Sequence, residues 1–89
     1  MYTVYAIASL NRKYLYVGLT ANLDQRLIRH NKGLEKTTKP YAPFILIFTE
    51  LAEDRISARS REKFFKSRTG KRFLYKLIEQ DFDQLSQYL

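Results

Sequence analysis

The sequence predicts an α+β domain, a small three-stranded antiparallel sheet flanked by helices in the order β-β-α-β-α-α. Two short runs rich in β-branched and aromatic residues open the chain, and the polar break between them is typical of a hairpin. A third apolar run covers residues 44–49. The remaining segments carry apolar residues three or four apart behind capping residues, which is the pattern of helices.

The strand boundaries follow from these runs. The first strand is predicted at Tyr2–Leu10 and the second at Lys13–Gly18, with a tight turn around Asn11. Gly18 is expected to end the second strand, where the backbone needs room or a positive φ. The third strand, Phe44–Thr49, is continuously apolar, the mark of a strand covered on both faces, so we expect it to be central in the sheet or at least covered.

Capping residues place the helices. The first helix is predicted to begin at Asn22, with Gln25 completing the cap, and to stop at Gly33. The second is predicted to begin after Asp54, to run for about fourteen residues and to close at Gly70. A third helix is indicated by the apolar residues Phe73, Leu74, Leu77 and Ile78.

The chain length allows one small domain and no second core. We assign residues 1–80 to this domain and 81–89 to its short C-terminal helix or tail. The apolar residues of that tail (Phe82, Leu85 and Leu89) are candidates for a homodimer seam or a contact with a protein partner. The absence of cysteine excludes thiolate metal sites, and a single histidine excludes a histidine cluster.

No apolar run approaches the roughly 20 residues that span a membrane, and no basic leader precedes an apolar stretch at the start. A soluble, cytoplasmic protein without a membrane partner is therefore expected. The formal net charge is +7, and both the first fifty residues and the rest are basic. Nucleic acid is the partner that this charge favours, ahead of an acidic protein, a membrane surface or a basic surface with no partner.

Glu62 is the only acid among nine Lys or Arg residues between Arg55 and Lys76. A carboxylate inside a basic block works against phosphate binding, so Glu62 either pairs with its neighbours or holds a divalent cation. Ala58 and Phe65 lie four residues before it and three after, which places Glu62 on or beside the inward stripe of its helix.

Few other residues suit chemistry. The sequence has no Ser-His-Asp set, no Walker loop and no glycine-rich dinucleotide motif. The remaining polar candidates are Tyr5, Tyr14, Tyr16, Arg26, His30, the loop Lys36–Lys39 and Glu62. If Tyr5 and Tyr16 face each other across the hairpin, two phenols lie side by side, although such pairs are more often a packing feature.

The order and spacing of these residues resemble the GIY-YIG nuclease family, in its small single-domain bacterial form. The resemblance is carried by Val4-Tyr5, Tyr16-Val17-Gly18, the segment Leu23–His30 and the segment Ala58–Lys63. It implies a three-stranded antiparallel sheet flanked by helices and metal-dependent hydrolysis of DNA phosphodiester bonds. Two departures are that Thr3 and Val4 stand where the first motif has glycine and isoleucine, and that no Asn follows Asn31.

The resemblance also implies roles for individual residues. Tyr5 and Tyr16 match the tyrosines of the two motifs, Arg26 the helix arginine, His30 the histidine one turn later, and Glu62 the metal-binding glutamate. Physical chemistry agrees with these types, since a guanidinium can fork onto two phosphate oxygens. A single carboxylate suits Mg²⁺, or Mn²⁺ in its place, because such an ion keeps several waters. Tyr5 is a base at neutral pH only if cations lower its pKa or if His30 or Tyr16 takes its proton.

The predicted function is that of a Mg²⁺-dependent DNA endonuclease, structure-preferring or weakly sequence-specific, acting on branched or duplex DNA in repair or recombination. Its predicted nucleic-acid contacts are Gly18, Lys36, Lys39, Arg59, Lys63 and Lys66. Two alternatives are a non-catalytic nucleic-acid-binding module with the same fold and a nuclease domain that a protein partner targets.

Overall fold

The computed structural model describes the backbone of residues 1–86 and the side chains of residues 1–80. Its strands are β1 (Tyr2–Ser9), β2 (Leu15–Thr20) and β3 (Phe44–Ala52), and its helices are α1 (Leu23–Asn31), α2 (Arg55–Lys66) and α3 (Arg68–Ser86). A single 3-10 turn, Lys39–Tyr41, lies between α1 and β3. The three strands form one antiparallel sheet in the order β2-β1-β3, so the predicted α+β architecture is confirmed.

The prediction that the third strand is central was wrong, because β1 occupies that position and β3 lies at an edge. Four consecutive residues of β1, from Val4 to Ile7, are at most 1% exposed, whereas Ile45 and Leu46 of β3 are 40% and 39% exposed. Ile45 and Leu46 are adjacent, so their side chains point to opposite faces, and β3 is partly open on both faces near its start. The apolar run also carries no information on whether both edges of the strand are paired.

The second strand begins and ends two residues later than predicted. Ser9 is the reason at its start, since its side-chain oxygen accepts hydrogen bonds from the backbone N–H groups of Asn11 and Arg12. This turn widens the hairpin connection and delays pairing until Leu15. Gly18 consequently lies inside β2, paired with Tyr5, and does not end the strand.

Both predicted helix caps are present. The side chain of Asn22 accepts from the backbone N–H of Gln25, and that of Asp54 accepts from the backbone N–H of Ser57. Gly33 follows α1 with φ 72°.

The second helix stops earlier than predicted, because Ser67 is extended and α3 begins at the next residue. Gly70 therefore belongs to the first turn of α3. A side chain there would collide with the backbone of Phe64 and Phe65, so this glycine allows α3 to begin against the end of α2.

The two faces of the sheet carry separate apolar clusters. On one face Val4, Ala6 and Val17 pack with Ala58 and Phe65 of α2 and with α3. On the other, Tyr5 and Ile7 pack with Tyr16 and with the leucines of α1. We call the second surface the tyrosine face.

The backbone of residues 81–86 continues α3, and residues 87–89 lie outside the described part of the chain. The side chains of the predicted C-terminal contact (Phe82, Leu85 and Leu89) also lie outside it, so that contact stays a prediction. Among the described helices, none is both long and apolar enough to cross a membrane.

Candidate active site

The two motif tyrosines lie side by side on the tyrosine face, but they are diagonal neighbours. Tyr5 is paired with Gly18 and Tyr16 with Ile7, and the tyrosine ring centroids are 6.3 Å apart. The predicted direct facing is therefore replaced by an offset of two residue pairs along the ladder. A Cβ atom at Gly18 would lie 2.7 Å from Tyr5 Oη. Gly18, predicted to contact nucleic acid, is instead buried and leaves room for the Tyr5 hydroxyl.

His30 joins the tyrosines from the last turn of α1. Its Nε2 atom lies 2.7 Å from Tyr5 Oη, within a hydrogen bond, and its ring centroid is 5.2 Å from that of Tyr16. The residue is only 1% exposed, and Phe44 of β3 packs against the ring edge-on. The hydrophobic spacing of α1 explains this placement, because Leu23 and Leu27 turn the same side of the helix toward the sheet.

Arg26 lies one turn before His30 and brings a positive charge to the pair of tyrosines. Its Nε atom is buried and has no hydrogen-bond partner among the described side chains and backbone. The nearest carboxylate oxygen, Oε1 of Glu35, is 3.6 Å away and also accepts a 2.8 Å hydrogen bond from Arg29. Since the Arg26 side chain is still 35% exposed, its guanidinium is available to an anionic ligand.

Burial sets the protonation states of this group. Burial, followed by the neighbouring Tyr16, raises the pKa of Tyr5 far above its ordinary value, although Arg26 acts in the opposite direction. Burial and then the charge of Arg26 lower the pKa of His30. Both side chains are therefore neutral at pH 7. The condition that nearby cations lower the Tyr5 pKa is not met, whereas His30 is correctly placed to take its proton.

We name Tyr5, Tyr16, Arg26 and His30 the tyrosine–histidine cluster. Tyr5 has no exposed surface and His30 almost none, while Tyr16 and Arg26 are partly exposed. A ligand from solvent therefore meets Tyr16 and Arg26 first.

Glu62 belongs to the inward stripe of α2, as predicted. It is 5% exposed and shares that stripe with Ala58 and Phe65. Its Oε1 atom lies 2.9 Å from Arg59 Nη1, and its Oε2 atom lies 3.4 Å from Lys66 Nζ. The core side of α2 packs on the opposite face from Tyr5, and no hydrogen bond joins Glu62 to the cluster among the described residues.

A divalent cation fits Glu62 only in a water-rich form. Residues 1–80 contain no group of three carboxylate or histidine side chains that could enclose a metal. Each oxygen of Glu62 has one cationic partner, and an ionised carboxylate offers about four lone-pair sites, so ligand capacity remains. One carboxylate together with waters and substrate phosphate oxygens matches the preference of Mg²⁺.

The basic side chains predicted to contact phosphate are all exposed, but two of them are already paired with Glu62. Lys36 and Lys39 are exposed in the loop after α1, and Lys63 is exposed on α2. Arg59 and Lys66 are engaged with Glu62, as described above.

Sequence reasoning missed Thr38 and Glu35. Thr38 is 0% exposed, and its Oγ1 atom lies 2.7 Å from His30 Nδ1. Glu35 is the carboxylate nearest to Arg26. The only sequence signal for Thr38 was its place in a loop with two hydroxyl residues. The inward direction of Thr38 depends on the conformation of that loop, which hydrophobic periodicity does not encode.

The chain matches the model of a known family over most of its length. The family model of the GIY-YIG catalytic domain matches residues 1–76. The chain belongs to the GIY-YIG family. Membership implies nuclease activity on DNA, because this catalytic domain is an endonuclease domain.

Curated relatives of this GIY-YIG protein carry only the designation UPF0213. A UPF0213 protein from Desulfotalea psychrophila is 35% identical over 75 residues, which cover 80% of this chain and 68% of the relative. One from Pediococcus pentosaceus is 46% identical over 56 residues, covering 62% of this chain and 59% of the relative. The chain thus spans less than two thirds of the length of some of the relatives that it matches.

A solved structure has the same fold. The solution NMR structure of a UPF0213 protein from Bacillus halodurans is 30% identical and has a TM-score of 0.51. The similarity covers 86% of this chain and 85% of that one.

Proposed function

We propose that this protein is an endonuclease that hydrolyses DNA phosphodiester bonds with Mg²⁺ or Mn²⁺. We further propose that it selects DNA by structure more than by base sequence. The observation that carries the proposal is the 2.7 Å hydrogen bond between Tyr5 Oη and His30 Nε2 beside the charge of Arg26. A role in repair or recombination and a cytoplasmic location stay predictions from the sequence.

Tyr5 and His30 together form the general base. Neutral His30 takes the phenolic proton at Nε2 as the Tyr5 O–H bond breaks, and the Tyr5 oxygen takes a proton from the attacking water. The water oxygen bonds to phosphorus, the bond from phosphorus to the leaving oxygen breaks, and that oxygen takes a proton from solvent. Since Tyr5 is fully buried, this water reaches it only when Tyr16 or Arg26 shifts.

Arg26 stabilises the charge that develops on the phosphate. Its buried Nε lacks a hydrogen-bond partner among the described residues, and a phosphate oxygen supplies an acceptor for it. Glu62 would hold the divalent cation, which would supply Lewis-acid charge to phosphate oxygens of DNA that reaches both α2 and the tyrosine face.

Preference for structure over sequence follows from size and charge. The basic side chains named above contact the phosphate backbone, which fixes orientation without reading bases. A domain of 89 residues leaves few side chains to read base edges, so shape and deformability of the DNA dominate selection.

A non-catalytic DNA-binding module is the second candidate. It is favoured by the complete burial of Tyr5 and by the pairing of Glu62 with two cations, since both features also suit a purely structural role.

Nicking of supercoiled plasmid and cleavage of branched DNA separate the two functions. We expect metal-dependent product from the wild type, none with EDTA, and faster cleavage of branched than of linear duplex DNA. Glu62→Gln should reduce the rate by roughly 100-fold or more, the size of loss when one electrostatic contact to a transition state is removed.

Glu53→Gln is the matched control, because Glu53 is exposed and its loss changes the net charge equally. It should cleave like the wild type. Binding without cleavage by all three proteins on every DNA shape would establish the binding module, and cleavage by Glu62→Gln at the wild-type rate would refute the role of Glu62.

A further inference from the structure

Thr38 places a hydroxyl group inside the protein, against the one histidine of the chain. It is 0% exposed, although Thr37 and Lys39 on either side are exposed. Its Oγ1 atom lies 2.7 Å from His30 Nδ1, on the opposite side of the ring from the Tyr5 contact. Tyr5, His30 and Thr38 thus form a continuous buried chain of hydrogen bonds.

The loop holds this hydroxyl in a fixed place. The backbone N–H of Thr38 donates to the carbonyl of Glu35 at 3.2 Å, and the backbone N–H of Tyr41 donates to the carbonyl of Thr38 at 2.9 Å. Glu35 is itself tied to α1 by the 2.8 Å hydrogen bond from Arg29. The position of Thr38 relative to His30 is therefore set by α1 and by the turn that follows the loop.

The direction of the two hydrogen bonds depends on which neighbouring groups can donate and which can accept. The Tyr5 hydroxyl proton needs an acceptor, and Arg26 beside it has donors only. His30 Nε2 lies within hydrogen-bond reach of that hydroxyl, and the proposed proton transfer requires Nε2 to be the acceptor, which places the ring proton on Nδ1. Nδ1–H would then donate to Thr38 Oγ1, which lies 2.7 Å away.

We propose that Thr38 is a positioning residue that holds His30 in the tautomer protonated at Nδ1, so that Nε2 is free to take the proton of Tyr5. The proposal rests on the proposed function, in which this proton transfer activates water. Thr38 also serves the charged state, because the imidazolium donates from both nitrogens and Thr38 accepts from one of them.

Among the described residues, Tyr5 and Thr38 are the groups that form hydrogen bonds with the ring nitrogens of His30. Tyr16 of β2 and Phe44 of β3 contact the ring through their own rings. Arg26, Arg29 and Glu35 act on His30 through charge, without a hydrogen bond to either ring nitrogen among the described residues.

The single histidine makes the tautomer directly measurable in the whole chain. The ¹⁵N shifts of a histidine-labelled sample, without DNA or metal, should show a protonated Nδ1 and an unprotonated Nε2 in the wild type at pH 7.5. A wild-type His30 protonated at Nε2 would overturn the proposal whether or not the protein is a nuclease.

Substitutions at position 38 test the cause. Thr38→Val keeps the shape and removes the acceptor, so we expect the proton to move to Nε2, whereas Thr38→Ser should keep the wild-type tautomer. Thr37→Val is the matched control at an exposed position and should change nothing. Retention of the Nδ1–H tautomer in a folded Thr38→Val protein would contradict the proposal.

Kinetics provide the second readout. With nuclease activity present, Thr38→Val should lower kcat by roughly 10- to 100-fold, the usual loss for a partner behind a functional histidine, with little change in KM. Thr38→Ser should recover most of the rate. If Thr38→Val does not fold, the wild-type and Thr38→Ser tautomers still decide the proposal. If no variant cleaves DNA, the proposed function fails and the tautomer result stands.

Discussion

Tyr5 and His30 hold one proton between two neutral, buried groups. Moving that proton creates a phenolate and an imidazolium in contact, which burial alone disfavours for both partners. The charge of Arg26 favours the phenolate, and an anionic phosphate favours the imidazolium. Transfer of the proton therefore costs free energy in the folded protein, and the charge of Arg26 offsets part of that cost on the side of Tyr5.

The depressed pKa of His30 predicts how stability depends on pH. The unfolded chain binds a proton near pH 6.5, the folded chain only at lower pH, so the unfolded state binds more protons between the two values. The contribution of His30 to the free energy of unfolding should be fully present above pH 6.5. It should fall as the pH is lowered, by at most about 1.4 kcal/mol per pH unit. Urea denaturation between pH 7 and pH 5 measures this slope.

His30→Gln is the comparison for that slope. The depressed pKa of Glu35 acts below its ordinary value of 4.5, outside this range, so the variant should show a flatter dependence whatever its absolute stability. Equal slopes for the two proteins would exclude His30 as the cause.

The resemblance to the GIY-YIG motifs predicted four side chains that the structure brings together. It could not predict Thr38 or Glu35, because both act from a loop with no periodic pattern. The close approach of Tyr5 to Gly18 was not predicted either, since the sequence marks a glycine but does not show which side chain approaches it. Local order in the sequence therefore predicts side chains on regular elements better than contacts supplied by loops.

At the scale of secondary-structure elements, the helix caps and the apolar faces of the helices were predicted well. The order of the strands in the sheet was not. Asn22 and Asp54 cap their helices by accepting hydrogen bonds from backbone N–H groups three residues later. Such local contacts can be predicted directly from the sequence. The central place of β1 depends on pairing with β3, about forty residues away, which an apolar pattern does not encode. Gly70 misled the prediction because it allows two helices to meet closely and does not end one.

Gly18 links the geometry of β2 to the position of Tyr5. A Gly18→Ala substitution would put a methyl carbon 2.7 Å from Tyr5 Oη and 2.8 Å from its Cζ, so the ring must move. We expect a loss of about 1–3 kcal/mol in unfolding free energy, the usual cost of overpacking. Urea denaturation measures the loss.

A double-mutant cycle with Tyr5→Phe shows whether the clash is the cause. Removing the hydroxyl relieves the closest contact, so Gly18→Ala should cost less in the Tyr5→Phe background. An equal cost in both backgrounds would assign the loss to the remaining contact with the ring carbon Cζ, at 2.8 Å, or to the backbone of β2.

At the scale of the whole molecule, the net charge of +7 predicts salt-dependent DNA binding. Lys63 is exposed and forms no ion pair with the described side chains. If it contacts a phosphate, Lys63→Gln should reduce the slope of log K against log salt concentration by about 0.9. Fluorescence anisotropy with labelled DNA at several salt concentrations measures the slope.

Arg61→Gln is the matched control on the same helix. The Arg61 guanidinium is held by both carboxylate oxygens of Glu50, at 2.6 Å and 3.0 Å, so its charge is already neutralised. Its loss should leave the salt slope unchanged. A larger change for Arg61→Gln than for Lys63→Gln would place the DNA on a different side of α2.

The central position of β1 determines the order in which the site comes apart. Tyr5 lies on β1, which is hydrogen-bonded to a strand on each side. Exposing the backbone amides of β1 to hydrogen exchange therefore requires opening the sheet. The described backbone N–H groups of the loop that carries Thr38 bond only to carbonyls three to five residues earlier, so this loop can open without opening the sheet. A partly opened molecule is therefore expected to lose the hydrogen bond between His30 and Thr38 while Tyr5 stays in place.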